Sequence, residues 1–254
     1  MIDWGELTLF VYILARMSGF VLFNPLLGRQ NIPAVFRSGL ILVLSVFVFG
    51  VTGLKAPVPS SVLEMGLRIL LELALGYVLG MAMNFFFYIP QLAGFAIDTQ
   101  MGMTMNQVYD AGAQANLSVT SVLLNTLMTL LFFAGNGHLT LLRIMMTSQN
   151  VVAFGAVSLG NNVINALLEL FIECTILAVK LCMPILGAEL IGQLGMGILM
   201  KVIPQINVFS INIELKVIIG LALLLMLIAP FSEFLLGVER NMLESLSTLL
   251  SLAG

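Results

Sequence analysis

Long apolar segments, separated by short polar or proline-containing turns, make up most of this chain. The first predicted helix covers residues 7–23 and ends before Asn24-Pro25, and the second covers residues 38–53. A third covers residues 62–88. We expect it to stop before Pro90, because proline lacks the backbone N–H that a helix interior uses. The pattern therefore predicts that the first third of the chain is α-helical.

The second half of the chain has the same apolar character but more interruptions. A predicted helical segment over residues 117–146 is broken at the polar sequence Gly135-Asn136-Gly137-His138. Another covers residues 165–183 and is kinked or ended by Pro184, and a last apolar segment covers residues 217–231. After it, leucines and methionines alternate with charged residues over 234–250, which predicts an amphipathic C-terminal helix.

Residues 91–116 resemble neither a lipid-facing helix nor a charged surface loop. Glycines alternate there with amide side chains and with Met101, Met103 and Met105. Methionine is unbranched and polarizable, so this cluster could form a deformable seal around something that moves. It could equally fill gaps, since the chain has 16 methionines. The sequence leaves both interpretations open.

The composition indicates a membrane protein. Of the 254 residues, 60% are hydrophobic and 9% are charged, and the mean hydropathy is +1.10. A soluble domain has about 25% charged residues. Several segments reach the roughly 20 apolar residues that a membrane-spanning helix needs. The net charge is −3 and no basic run occurs, which argues against nucleic acid as a partner.

Charged side chains nevertheless interrupt the apolar segments: Arg16, Glu64, Arg68, Glu72, Glu169, Glu173 and Lys180. Because a charge facing hydrocarbon costs several kcal/mol, such residues usually face protein or a water-filled path. The three in the third segment are spaced i, i+4, i+8 and share one face. They fit either a local salt-bridge ladder or a polar stripe facing a neighbour. The last three fall on nearly the same side of their helix.

Few residues point to catalysis or to a cofactor. His138, the single histidine, could relay a proton or could satisfy backbone groups freed by the Gly-Asn-Gly break, and we prefer the second interpretation. Cys174 and Cys182 would lie about 12 Å apart along one helix, too far for a disulfide. The sequence shows no nucleophile elbow, phosphate-binding glycine loop or metal-ligand spacing. We therefore expect neither an enzyme nor a cofactor.

Four blocks of residues follow one another in a specific order along the chain: Arg16, Pro25, Ile32-Pro33 and Arg37; Gly94, Gln100-Met101-Gly102 and Asp110; Asn136-Gly137-His138-Leu139; and Lys201-Val202-Ile203-Pro204-Gln205-Ile206-Asn207-Val208-Phe209. Together they resemble the R-type export-gate subunits of bacterial type III secretion, the FliR, SpaR and YscT family. The resemblance covers essentially the whole length, and the fourth block is its most specific part.

The resemblance implies helical hairpins with broken helices, assembled in a helical export-gate complex. Residues 1–146 would correspond to a P-type subunit and include a plug loop at about 94–116. Residues 147–254 would correspond to a Q-type subunit with an amphipathic tail. In the family, one R-type chain closes a spiral of P-type and Q-type subunits around a pore for unfolded proteins.

The resemblance also implies site residues. Those at the pore plug would be Met101, Met103, Met105, Val108, Tyr109 and Asp110. Those packing against other subunits would be Arg16, Arg37, Glu72, Glu173, Lys180, Lys201, Pro204, Gln205, Asn207 and Phe209. No catalytic, cofactor or metal residue is implied.

The function implied is that of a structural and gating subunit of the flagellar export gate, in the bacterial inner membrane at the basal body. Its partners would be the P-type and Q-type subunits, the B-type switch subunit, the A-type export subunit and unfolded exported proteins. Three alternatives remain open: an injectisome subunit, a secondary transporter that works without these partners, and an intramembrane enzyme using His138.

Overall fold

The computed structural model describes residues 4–29, 31–52, 59–103, 107–110, 115–202 and 208–254. Over these ranges the chain forms eight α-helices and one antiparallel β-hairpin, which confirms the predicted all-α, hydrophobic class apart from the hairpin. The elements are α1 (Trp4–Phe23), α2 (Ala34–Val51), α3 (Val62–Met101), β1 (Gln107–Asp110), β2 (Ala115–Ser118), α4 (Val119–Ala134), α5 (Gly137–Val151), α6 (Asn161–Val202), α7 (Val208–Met226) and α8 (Ile228–Leu252).

One predicted helix end is wrong, and at Pro184 the structure excludes an end and leaves the alternative of a kink. The third helix does not stop before Pro90 but continues to Met101. Pro184 likewise lies inside α6, which continues to Val202. Each proline costs one backbone hydrogen bond. Ending the helix in apolar surroundings would instead free a whole turn of backbone groups, so continuing the helix is the cheaper solution.

The predicted break between the fourth and fifth helices is confirmed. The Gly135 amide donates to the Leu131 carbonyl and closes α4. Asn136 then adopts a left-handed conformation with φ of 58°, which asparagine tolerates better than most residues. The predicted amphipathic tail is also confirmed and is longer than expected, because α8 already begins at Ile228.

The chain divides into two compact units, and each takes residues from distant parts of the sequence. Unit 1 contains residues 1–86, 136–172 and 239–254, and unit 2 contains residues 87–135 and 173–238. The helices α3, α6 and α8 each contribute to both units. The sequence-based division at residue 146 concerns likeness to other subunits, and it stays a prediction.

Among the described residues, four helices are long and apolar enough to cross a membrane: α1, α2, α3 and α6. Two more spans result if α4 with α5, and α7 with α8, are each counted as one interrupted span. Burial differs greatly among them. In the best apolar stretch of α1, 56% of the residues are buried by the chain itself, against 17% in α2. The α1 helix therefore belongs to the core of unit 1, and α2 presents most of its surface outward.

Candidate functional site

A buried ion pair joins α1 to α3 in the interior of unit 1. The Arg16 Nε donates to one Glu72 carboxylate oxygen at 2.6 Å, and its Nη2 donates to the other at 3.1 Å. Both side chains have no solvent-exposed surface. Such a two-pronged contact satisfies the planar guanidinium and the carboxylate together. The charge of Arg16, the first within the apolar segments, is thus paired with that of Glu72 inside the chain.

The last turn of α5 and the segment after it complete the surroundings of this pair. The Arg16 Nη1 donates to the Ser148 hydroxyl and to the Val152 carbonyl, each at 3.1 Å. The Phe154 ring centroid lies 4.3 Å from the guanidinium carbon, within cation–π range. The Gly155 amide donates to Glu72 at 2.7 Å. These groups therefore supply the buried pair with hydrogen-bond partners and an aromatic contact in an apolar interior.

The three charges spaced along α3 separate into two kinds. Glu64 and Arg68 form a local pair at 2.6 Å, and both are partly exposed. Glu64 also accepts hydrogen bonds from the Ser60 amide and hydroxyl, and Ser61 caps the helix start. Glu72 instead pairs across to Arg16. Glu64 and Arg68 therefore fit the interpretation of a local salt bridge, and Glu72 fits that of a polar side chain facing a neighbouring helix.

The predicted plug region forms an antiparallel hairpin within unit 2, rather than a loop. Its strands pair Gln107 with Ser118 and Asp110 with Ala115. The connecting residues 111–114 lie outside the described residues. Val108 and Tyr109 are exposed, at 45% and 63%. The hairpin thus presents an apolar and an aromatic side chain away from its own unit.

The base of the hairpin is built from the end of α3 and the start of α4. The Gly102 amide donates to the Thr99 carbonyl at 3.2 Å, and the Met103 amide donates to the Asp98 carbonyl at 2.8 Å. With Gly102 at φ of 79°, these bonds form the Schellman motif that ends many helices. The α4 helix begins at Ser118, whose hydroxyl accepts from the Ser121 amide. The second strand therefore runs directly into the capped start of α4, and the first strand follows the capped end of α3 after residues 104–106, which lie outside the described residues.

The methionines predicted for the plug do not share the exposure of the hairpin. Met101 is wholly buried, and a Cβ atom added to Gly220 of α7 would collide with its side chain. Met103 is also buried. Met101 is therefore a core residue that packs the end of α3 against α7. Val108 and Tyr109, by contrast, are exposed. Asp110 is half-buried at the end of β1.

The residues predicted to pack against other subunits fall into two groups. Arg16 and Glu72 are wholly buried and bind each other, so no direct contact with another chain is available to them in this structure. Glu173 and Lys180 are exposed on α6 together with Glu169, and Lys201 is exposed near its end. Arg37 is half-buried. The role of all of them in subunit packing stays a prediction.

Several predicted residues cannot be placed. Met105, Pro204, Gln205 and Asn207 lie outside the described residues, and Phe209 is described only by its backbone, in the first turn of α7. His138 is half-buried in the first turn of α5. Across the described ranges, no group of three or more His, Cys, Asp or Glu residues could hold a metal ion. Cys174 and Cys182 are free and buried.

Sequence reasoning missed two buried carboxylates in unit 2. Asp98 has no exposed surface and accepts hydrogen bonds from the Thr120 amide, at 2.9 Å, and from its hydroxyl. Glu189 on α6 is 1% exposed. Both could have been noticed as isolated charges within long uncharged stretches. The partner of Asp98 could not, because nothing in the sequence around Asp98 identifies Thr120.

Long apolar helices, charges paired in the chain interior and a hairpin between two capped helices define a multi-pass membrane protein with an internal polar framework. The chain belongs to the family described as bacterial export proteins, family 1, whose sequence model matches residues 7–242. This membership confirms the resemblance that the four sequence blocks indicated.

Curated relatives carry two different names. The chain is 26% identical to the flagellar biosynthetic protein FliR of Escherichia coli strain K12 over 82% of its length and 80% of the relative. It is 27% identical to the protein of the same name from Bacillus subtilis, over 82% and 81%. It is 24% identical to the Yop proteins translocation protein T of Yersinia pestis, over 82% and 80%.

Proposed function

We propose that this chain is a non-enzymatic subunit of a type III protein export gate in the bacterial inner membrane. It would assemble with P-type and Q-type subunits around a pore for unfolded proteins, in contact with the B-type and A-type subunits. Its hairpin would help to close that pore. Membership in a family of bacterial export proteins supports the transport of proteins rather than of small molecules.

The observation that carries the proposal is the hairpin itself. A two-stranded hairpin has little stability alone, yet this one presents Tyr109 and Val108 outward from the junction of two long apolar helices. Exposed aromatic groups in that position are suited to packing against like groups from neighbouring subunits. Such a contact closes a passage and can be displaced by a passing chain.

The charged face of α6 supports assembly with other subunits. Glu169, Glu173 and Lys180 are exposed on a helix that is otherwise apolar enough to span a membrane. Because charges facing lipid are costly, this face is better covered by protein. The two signs of charge would pair with complementary groups on the covering helices.

We favour the flagellar over the injectisome system, on overall likeness to the flagellar relatives. The identities of 26% and 24% to the two kinds of relative are close, which keeps the injectisome as the second candidate. Deleting the gene in its native bacterium separates them. Loss of flagella and swimming with unchanged secretion of injected proteins supports the flagellar assignment, and the reverse result overturns it.

The gating role is tested by measuring ion leakage through the membrane of cells that produce the chain together with its partner subunits. We expect the paired change Val108→Ser and Tyr109→Ser, or deletion of residues 105–110, to raise leakage several-fold. The control is Phe36→Ala, which removes an exposed aromatic group from α2. Leakage equal to that of the control would reject the plug role of the hairpin.

A further inference from the structure

The buried carboxylate of Asp98 connects α3 and α4, the helices that precede and follow the hairpin in the chain. Asp98 belongs to the last turn of α3, and its backbone carbonyl accepts the Met103 amide that completes the helix cap. Its side chain crosses to α4 and accepts from the Thr120 amide and hydroxyl. One residue therefore takes part in ending α3 and in starting α4.

A negative charge at the position of Asp98 costs free energy unless the contact with α4 compensates for it. Near the C-terminus of α3, a negative charge is disfavoured by the helix dipole, whereas at the N-terminus of α4 it is favoured. Asp98 and Thr120 have almost no exposed surface. Water cannot replace the contact, so its loss would leave a buried charge and a buried amide without partners.

Close packing around the contact makes the junction stiff. A Cβ atom added to Gly94 would collide with the backbone of Ser121, so α3 and α4 lie backbone against backbone there. The Ser121 hydroxyl donates to the Gln91 carbonyl at 2.6 Å. The first strand of the hairpin is instead exposed at three of its four residues.

We propose that Asp98 is a positioning residue that holds the hairpin in its closed orientation by clamping the start of α4 to the end of α3. The inference rests on the gating role proposed above and deepens it. Because β2 runs directly into α4 and β1 pairs with β2, a change in the orientation of α4 at the clamp moves both strands. Breaking the Asp98–Thr120 contact therefore lets the hairpin leave the pore.

Two variants test the clamp. Asp98→Asn keeps the shape of the side chain but removes its charge and one acceptor oxygen. Thr120→Val removes the hydroxyl and keeps the backbone amide and the volume. The control is Thr126→Val on the same helix, since the Thr126 hydroxyl is exposed and donates to the Val122 carbonyl of its own helix. Should Asp98→Asn fail to assemble, Thr120→Val carries the test.

The primary measurement is the distance between spin labels at Tyr109→Cys and Leu130→Cys, in the chain assembled with its partner subunits. Both positions are exposed and belong to unit 2, and the two native cysteines are buried. We expect a narrow distribution in the parent and control. The displaced fraction should rise about tenfold in Asp98→Asn, as expected for losing a charged hydrogen bond, and less in Thr120→Val. The double variant should be no worse than Asp98→Asn, because both changes remove one contact.

Ion leakage, measured on the same variants without spin labels, distinguishes the positioning role of Asp98 from the gating role of the hairpin. Displacement with increased leakage supports both proposals. Displacement without leakage supports the clamp and overturns the gating role. An unchanged distance distribution in both variants, or the same displacement in Thr126→Val, overturns the clamp whatever the leakage.

Discussion

Gly19 and Gly76 lie backbone against backbone where α1 crosses α3. A Cβ atom on Gly76 would collide with the Arg16 carbonyl and the Phe20 amide, and one on Gly19 would collide with the Leu73 carbonyl. Gly19 comes one turn after Arg16, and Gly76 comes one turn after Glu72. The close approach of the helices therefore brings the buried ion pair within bonding distance. Small residues are commonly used for such approaches between membrane helices.

We predict that Gly76→Ala destabilises unit 1 by about 1–3 kcal/mol, because the added methyl group meets backbone that cannot move aside. The matched control is Gly66→Ala on the same helix, where an added Cβ atom meets nothing within 4 Å. Thermal unfolding of the purified chain in detergent measures the difference. Equal unfolding temperatures for the two variants would contradict the close approach.

We predict that Arg16→Met or Glu72→Leu alone costs about 3–5 kcal/mol, because each leaves a buried group without its partner. Replacing both, as Arg16→Met with Glu72→Leu, should recover part of that loss. Glu64→Gln is the control, because its partly exposed pair with Arg68 is worth less than about 1 kcal/mol. Unfolding the four variants with denaturant gives the order of their free energies of unfolding. A double variant as unstable as the sum of the single ones would show that the pair acts through more than its charges.

We predict that Gly220→Ala destabilises unit 2 by displacing Met101, at a cost of about 1–3 kcal/mol. Met101→Ala in the same chain should relieve the collision, so the double variant should be more stable than the sum of the two changes implies. The control is Gly192→Ala on α6, where an added Cβ atom has open space. Additive effects in thermal unfolding would mean that the two residues do not contact each other.

We predict that Glu173→Leu and Lys180→Leu leave the unfolding of the purified chain within about 0.5 kcal/mol of the parent, since both side chains are exposed. The same variants should reduce co-purification with the partner subunits several-fold. Val43→Ala, on the exposed apolar face of α2, is the control and should co-purify normally. Normal recovery of the partners with both α6 variants would show that this face is not an interface.

The sequence predicts the helices well because long apolar runs admit few other structures in a membrane. It places the α4–α5 break correctly, because Gly135 and Asn136 suit a helix end and a left-handed turn. It fails at Pro90, where the need to satisfy neighbouring backbone groups outweighs the preference of proline, and it leaves open at Pro184 whether the helix continues. It also misses the hairpin, because strands of four residues are too short for their alternation of side chains to distinguish them from a loop.

Local sequence patterns could not predict which buried side chains pair with each other. Arg16 and Glu72 are visible as charges in apolar segments, yet nothing near either residue identifies the other. The same holds for Asp98 and Thr120. Met101 and Val108 look alike as apolar members of one segment, and packing against Gly220 is what separates the buried one from the exposed one.

Unit 1 is assembled from three separated stretches of the chain, and its last piece is the end of α8. The Ser158 amide, in the connection that also carries Phe154 and Gly155, donates to the Ala253 carbonyl at 3.0 Å. During synthesis this contact cannot form until Ala253 has left the ribosome. Until then the connection beside Arg16 lacks its last support. A nascent chain halted before α8 would therefore hold the buried pair of Arg16 and Glu72 without the contact that anchors this connection.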